Sequence, residues 1–393
     1  MGATKINNDI LELSIVMPCL NESETLGVCI HKCQTFIKEN NLKAEVVIAD
    51  NGSTDGSLEI AEKEGARIVN VERKGYGSAL INGIKASNGR YVIMGDADDS
   101  YDFSNLMPFV ELLRKGNEMV IGNRFRGGIA PGAMPFLHRY LGNPVLSFLG
   151  RLFYRVNIGD FHCGLRGFSR KAFDDLGLKA PGMELASEMI AKAALKGLKI
   201  VETPTTLSPD GRSRPPHLNT WSDGWRHLRF LLLFSPKWVF LFPGIILTVF
   251  SFLLSLILIK EPLSIGSLTF DVHTLLYTST FFLIGAQLIF FYMFTRIFGS
   301  VTGIHPETGR QKKFWKSFTL ERGVLSGSLI FFVGFILAVL SLLNWKASGF
   351  SELLPSENLR NVIPSVVLII LGTQIIFYSV FFSVLGWGRD NQM

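Results

Sequence analysis

A chain of 393 residues with 48% hydrophobic content has room for two domains, and its apolar surplus lies almost wholly after Leu231. Residues 1–237 carry a net charge of about +3, too slight for nucleic acid to be a bulk partner. Cys19, Cys29, Cys33 and Cys163 match no disulfide or zinc spacing, which excludes a disulfide scaffold and assigns the thiols to a reducing compartment.

The first apolar run, Leu13–Met17, reads as a strand. PCLNES breaks it and starts a helix, in which Leu26, Cys29, Ile30, Cys33, Phe36 and Ile37 recur at three-and-four spacing. Glu45–Ala49 predicts a second strand, closed by DNGSTDGS, with a helix from about Leu58. Arg67–Val71 predicts a third, and ERKGYGSA leads from it into a helix ending at Ala86. Tyr91–Met94 is the fourth strand, Leu106–Leu113 a helix, and Glu118–Ile121 a fifth strand ending in GNRF. Met134–Tyr154 predicts an amphipathic helix pair broken at Gly142–Pro144, either packed on the core or lying on a bilayer. After DFHCGLRGFSR (Asp160–Arg170) come a helix, Glu184–Lys196, and a strand, Lys199–Thr203. Strands alternating with helices specify an α/β fold with a mostly parallel sheet covered on both faces.

Trp221–Lys237 mixes Trp, Arg, His and Leu in the manner of an interfacial helix. Four uncharged apolar runs follow, at about 238–259, 272–295, 323–344 and 362–387, each long enough to cross a hydrocarbon core of about 30 Å. The predicted division is therefore a 1–218 α/β domain, a 219–237 juxtamembrane helix and a 238–393 membrane domain. The loop between the second and third runs carries Arg296, Arg310, Lys312, Lys313, Lys316 and Arg322, against Lys260 in the first loop and Lys346 with Arg360 in the third. Positive-inside bias puts that loop, and with four spans the N-terminal domain and the C-terminus, in the cytoplasm, and a multi-pass protein of the cell (inner) membrane is expected. MGATKINNDILEL has no apolar core followed by a cleavage site, so no signal peptide is expected.

The chemistry centres on Tyr91–Asp102, where a strand ends in Gly95 and then Asp96, Asp98, Asp99 and Asp102. Extended chain points Asp96 and Asp98 the same way, and two such carboxylates repel unless a cation sits between them. Hard oxygen ligands suit Mg²⁺ or Mn²⁺. The other strand ends add polar groups to the same crevice: Asn21 and Glu22, then Asp50, Asn51, Ser53 and Asp55, then Lys74, Gly75 and Gly77. Each group taken singly is an ordinary turn or helix cap. Repeated at four successive strand ends, they specify a nucleotide site. Asp50 can accept from a base N–H or ribose hydroxyls, and Gly75 and Gly77 let backbone approach a phosphate beside Lys74. The dinucleotide fingerprint G-x-G-x-x-G is absent after the first strand.

SIVMPCLNE, DNGSTDGS, the Gly-rich turn, GDADDSYD, GNRF and CGLRGFSR occur in this order. Over about residues 13–237 the chain resembles a family 2 glycosyltransferase with a GT-A fold. With its C-terminal spans it is similar to the polyprenyl-phosphate glycosyltransferases, the dolichol-phosphate mannose synthases and their bacterial undecaprenyl-phosphate relatives. The resemblance implies that Pro18, Asn21 and Glu22 line the nucleotide pocket, that Asp50 holds the base, and that Asp96 and Asp98 form the metal-binding D-x-D. Ser100 stands where many relatives have Gln. Arg124 matches a basic residue near the donor diphosphate or acceptor phosphate, and Arg166 matches the family's G-F-R arginine. Arg212 and Arg214 take the place of an Arg and Lys pair that closes over phosphates. Asp160 and Glu188 either orient the acceptor or are buried structural carboxylates.

The activity so implied is inverting transfer of a hexose from a UDP- or GDP-sugar to undecaprenyl or dolichyl phosphate at the cytoplasmic membrane face. A processive polysaccharide synthase is the second reading; its Q-x-x-R-W is approached only by QKKFW, Gln311–Trp315. A membrane scaffold that senses nucleotide without turnover is the third. The composition leaves room for a homo-oligomer.

Overall fold

The computed structural model describes residues 11–213, 220–301, 319–351 and 354–390. Arg214 and Gln311–Trp315 lie outside the described residues. The chain divides into two compact units, Met1–Phe234 and Ser235–Met393.

The first unit is built on a seven-stranded sheet. Its strands are β1 (Leu13–Cys19), β2 (Ala44–Asp50), β3 (Arg67–Asn70), β4 (Tyr91–Met94), β5 (Met119–Asn123), β6 (Arg166–Ser169) and β7 (Ile200–Pro204). The order is β3-β2-β1-β4-β6-β5-β7. Six strands run one way, and β6 runs antiparallel between β4 and β5. The carboxyl ends of the six therefore share one rim with the start of β6, where Arg166 pairs with Met94. Ile15, Val16, Met17, Val47, Ile48, Val92 and Ile93 are fully buried, as expected of strands covered on both faces. The helices are α1 (Leu26–Glu39), α2 (Ser57–Lys63), α3 (Tyr76–Ala86), α4 (Met107–Arg114), α5 (Arg124–Gly127), α6 (Asn143–Tyr154), α7 (Arg170–Leu176), α8 (Leu185–Lys196) and α9 (Thr220–Leu233).

The sequence pattern assigns no element to CGLRGFSR or to the residues just after it, where β6 and α7 form; Ser169 caps α7 by accepting from the Ala172 N–H at 3.2 Å. The predicted break at Gly142–Pro144 is instead a π-helical turn, His138–Gly142, continuous with α6. Proline has no N–H to give the preceding turn and its ring crowds the carbonyl four residues back, so the wider turn carries the helix past it. Phe136, Tyr140, Leu141 and Phe148 stay exposed along this stretch, as do Trp221, Trp225 and Leu233 on α9. The opposite side of α9 is packed: Leu231 is fully buried, and its carbonyl accepts from Tyr154 Oη at 3.0 Å.

Among its described residues the second unit holds four helices long and apolar enough to cross a membrane: Lys237–Lys260, Val272–Val301, Leu320–Ala347 and Asn358–Leu385. Small residues bring them together in pairs. A side-chain carbon added at Gly244 would lie 3.0 Å from the Gly285 carbonyl, and one at Gly327 would lie 2.8 Å from that of Gly372. Asp271, at the start of the second helix, is paired with Arg360 of the fourth.

Candidate functional site

β4 delivers the chain to the rim at Asp96. Tyr76 Oη, at the start of α3, donates to Asp96 Oδ1 at 2.8 Å. Gly164, just before β6, lies so close that a side-chain carbon there would sit 2.5 Å from Asp96 Oδ2. Burial first, and then the Asp98 charge, push the Asp96 carboxyl from 3.8 up to about 6, while Tyr76, Arg212 and Arg124 pull it back. Asp98 Oδ1 accepts from Ser100 N at 3.1 Å and Ser100 Oγ at 2.6 Å. Asp99 turns away at φ 61 and pairs with Lys32 of α1 at 2.7 Å. The D-x-D thus offers two hard oxygen donors, and the charge of Asp98 already shows in Asp96. That chemistry fits a divalent cation, which takes one or two protein carboxylates and fills its sphere with water and phosphate. Among the described residues no group of three or more His, Cys, Asp or Glu forms a closed metal cage.

The segment after β7 folds over these acids. Ser208 N donates to the Ser100 carbonyl and Gly211 N to the Asp98 carbonyl, each at 2.9 Å. Arg212 then reaches Asp98 Oδ2 at 2.8 Å, Asp210 Oδ2 at 3.0 Å and Glu22 Oε1 at 3.1 Å. Ser213 N and Oγ both donate to the Glu24 carboxylate at 2.6 Å. In this structure Arg212 therefore stands on the D-x-D.

Arg124 opens α5 at the end of β5. Its Nε and Nη2 engage Asp160 Oδ2 and Oδ1 at 2.7 and 2.8 Å, and its N–H adds a bond of 3.1 Å to Oδ2. Asp160 is fully buried. These bonds leave both N–H groups of Nη1 and the second N–H of Nη2 as the remaining donors of the fork. Arg166 is also fully buried, and it donates to the backbone carbonyls of Cys163 and Phe161 at 2.8 Å and of Ala186 at 2.7 Å. It clamps the loop before β6 to α8 and does not present its guanidinium to a phosphate. Glu188 is structural: it accepts from the N–H groups of Lys179 and Ala180 and pairs with Lys192 at 2.7 Å. His227 of α9 shares Ser187 Oγ at 2.9 Å, and its ring centroid lies 4.3 Å from that of His162.

The remaining strand ends hold one another. Asn21 Oδ1 accepts from Thr54 N, and Asn21 N donates to Ser53 Oγ. Asp50 accepts from the N–H groups of Gly52 and Ser53, closing its own turn. Asn51 ties this turn to the next through the Val71 and Arg73 carbonyls and the Gly75 N–H. Lys74 Nζ donates to the Asn51 carbonyl, and half-buried Pro18 lies in β1 opposite Ala49. Gly75 and Gly77, expected beside a phosphate, lie against chain 180–182. Side-chain carbons there would lie 2.3 Å from the Pro181 carbonyl and 2.2 Å from that of Ala180, and Ser78 N already donates to the Pro181 carbonyl at 3.1 Å. What approaches these glycines is chain 180–182. Tyr76 and Lys32, absent from the sequence-based site, are the supports of Asp96 and Asp99. An aromatic side chain between two turn glycines is the one signal that marks Tyr76.

The Glycosyl transferase family 2 profile matches residues 14–177, and that of the Glycosyltransferase family 2 C-terminal transmembrane region matches 293–386. The low-salt glycan biosynthesis hexosyltransferase of Haloferax volcanii is 37% identical over 379 residues, covering 95% of this chain and 89% of that protein. A dolichyl-phosphate hexose transferase of the same organism is 31% identical over 193 residues, covering 49% of this chain and 81% of its own. A solved glucosyl-3-phosphoglycerate synthase from Mycobacterium tuberculosis overlays 57% of this chain and 80% of its own, with a TM-score of 0.45 and 21% identity.

Proposed function

This chain belongs to glycosyltransferase family 2, and we propose that it moves a hexose from a nucleotide-diphosphate sugar to a polyprenyl phosphate at the cytoplasmic face of the cell membrane. The observation that carries this reading is the convergence of Asp96, Asp98, Arg212 and Arg124 at one rim of the sheet. Asp96 and Asp98 would hold Mg²⁺ or Mn²⁺, which when bound neutralises the leaving nucleotide diphosphate. Asn21, Glu22, Asp50 and Ser53 shape the nucleotide side, with Lys74 and Arg212 as the nearby cations. Arg124, locked by Asp160, offers its free edge to the incoming phosphate and offsets its repulsion from the diphosphate. Arg166 positions the loop that carries Asp160. An acceptor phosphate oxygen forms the new bond to the anomeric carbon, and the bond to the diphosphate oxygen breaks with its electron pair. A single displacement of this kind inverts the centre. The acceptor is largely ionised near pH 7, its second pKa being about 6, so no strong general base is required.

The hexose and the lipid acceptor are supported by the names of the two Haloferax relatives. A polyprenyl chain remains in the bilayer, since each buried CH₂ contributes about 0.8 kcal/mol, so the enzyme must come to the head group. The four apolar helices make this a membrane protein. We assign 1–218 to catalysis, 219–237 to the bilayer surface and 238–393 to the membrane. The exposed Phe136, Tyr140, Phe148, Trp221 and Trp225 suit contact with lipid. Purified protein given radiolabelled UDP- and GDP-hexoses and a polyprenyl phosphate should yield an organic-extractable, acid-labile product. Asp98→Ala should abolish the product while the protein still folds. Absence of product from every donor would refute the assignment.

A further inference from the structure

Asp98, one of the two carboxylates assigned to the cation, already has a cation beside it. Arg212 bridges Asp98, Glu22 and Asp210 at 2.8–3.1 Å, and its side chain is only 11% exposed, against 15% for Asp98 and 9% for Glu22. The contact is built, because the strap is tied on both sides of the arginine. Before it, Ser208 and Gly211 bond the backbone of Ser100 and Asp98; after it, Ser213 bonds Glu24. Gly211 has no side chain to keep the strap away: a carbon there would meet Thr25 Cγ2 at 2.9 Å. A divalent ion and a guanidinium cannot share Asp98 Oδ2 at these distances, since like charges this close inside a protein repel strongly. A bare ion on Asp98 Oδ2 must therefore displace Arg212 from it, leaving the guanidinium with Glu22 and Asp210 alone. A diphosphate arriving with the ion supplies the guanidinium with new oxygens, which it can take two at a time.

We propose that Arg212 is the resting-state counterion of the D-x-D: it holds Asp98 until a metal–diphosphate complex takes its place, so the ion enters with the diphosphate rather than alone. The inference rests on the reading of Asp96 and Asp98 as the cation site. It makes Arg212 a positioning residue with opposite effects on two equilibria. It opposes binding of the metal alone and favours binding of the metal with a diphosphate.

The test uses the full-length protein in detergent, with bound Mn²⁺ counted by the loss of the free-ion paramagnetic resonance signal. Mn²⁺ is titrated alone and then with inorganic pyrophosphate as the probe. Removing a charged hydrogen-bond partner is worth a factor of about ten or more. Arg212→Ala should thus bind Mn²⁺ alone about tenfold more tightly than the parent, yet bind Mn²⁺–pyrophosphate more weakly. Arg212→Gln, close to the arginine in length, should shift both in the same directions and replaces the alanine variant if that one misfolds. Unchanged or weaker binding of Mn²⁺ alone by a folded Arg212 variant overturns the proposal. If Asp98→Ala abolishes Mn²⁺ binding in that same experiment, the cation site survives and only the counterion role falls. Parent-like Mn²⁺ binding by Asp98→Ala sinks the cation site itself.

Discussion

Replacing Asp160 by alanine tests whether Arg124 is held where it is by charge. Arg124 is 8% exposed, and Asp160 accepts two bonds from its guanidinium and one from its backbone N–H. Removing one partner of a buried pair leaves the other desolvated and uncompensated, at a cost of about 3–5 kcal/mol. For a unit of this size that corresponds to a fall of roughly 6–20 °C in midpoint. A thiol-reactive dye reads this unit selectively, because the chain's four cysteines all lie within it and all are buried. Arg124→Ala alone should also destabilise. The double variant should lose clearly less than the two single losses combined, since the second removal takes away the charge that the first left stranded. Additive losses, or a loss below about 1 kcal/mol for Asp160→Ala, would mean that Arg124 is positioned by packing and that the argument from the pair is wrong.

Two further perturbations separate support from chemistry. The Asp96 carboxyl titrates at about 6 when folded against 3.8 as its ordinary value, so between those values the folded chain binds more protons than the unfolded one. In metal-free buffer, the contribution of Asp96 to stability therefore falls as pH rises from about 4 to 6 and stays at the lower level above it. At about 1.4 kcal/mol per pH unit, Asp96→Asn should recover up to about 3 kcal/mol at pH 8. Dye-monitored melts across pH check this, and an unchanged pH slope would contradict it. Gly77→Ala would place a carbon 2.2 Å from the Ala180 carbonyl and must push chain 180–182 away, costing roughly 1–3 kcal/mol or more. A variant as stable as the parent but poor at binding nucleotide would restore the phosphate reading of that turn.

The parts of this protein legible in sequence are those where one physical demand dominates. Strands β1, β2 and β4 are buried on both faces and so appear as unbroken apolar runs. The membrane helices appear because a lipid environment tolerates little else over that length. The D-x-D was visible because acids stacked at the end of a buried strand have few structural uses. β6 was not visible, because RGFS is four residues long, includes a glycine, and pairs only through partners distant in the chain. The arginines were found as residues but not as roles. Arg166 and Arg212 are both cations near glycine in the sequence, and only the fold gives one to backbone carbonyls and the other to Asp98. The same limit applies at Gly75 and Gly77, where only the fold brings chain 180–182 alongside.

Transfer of one hexose to a lipid phosphate is tested most directly by mass spectrometry of the lipid fraction after the purified enzyme has been incubated with nucleotide-hexose, Mn²⁺ and polyprenyl phosphate. The account predicts a lipid phosphate heavier by a single hexose residue, absent with Asp98→Ala. A ladder of added hexoses, or donor that binds without any change in the lipid's mass, would contradict it.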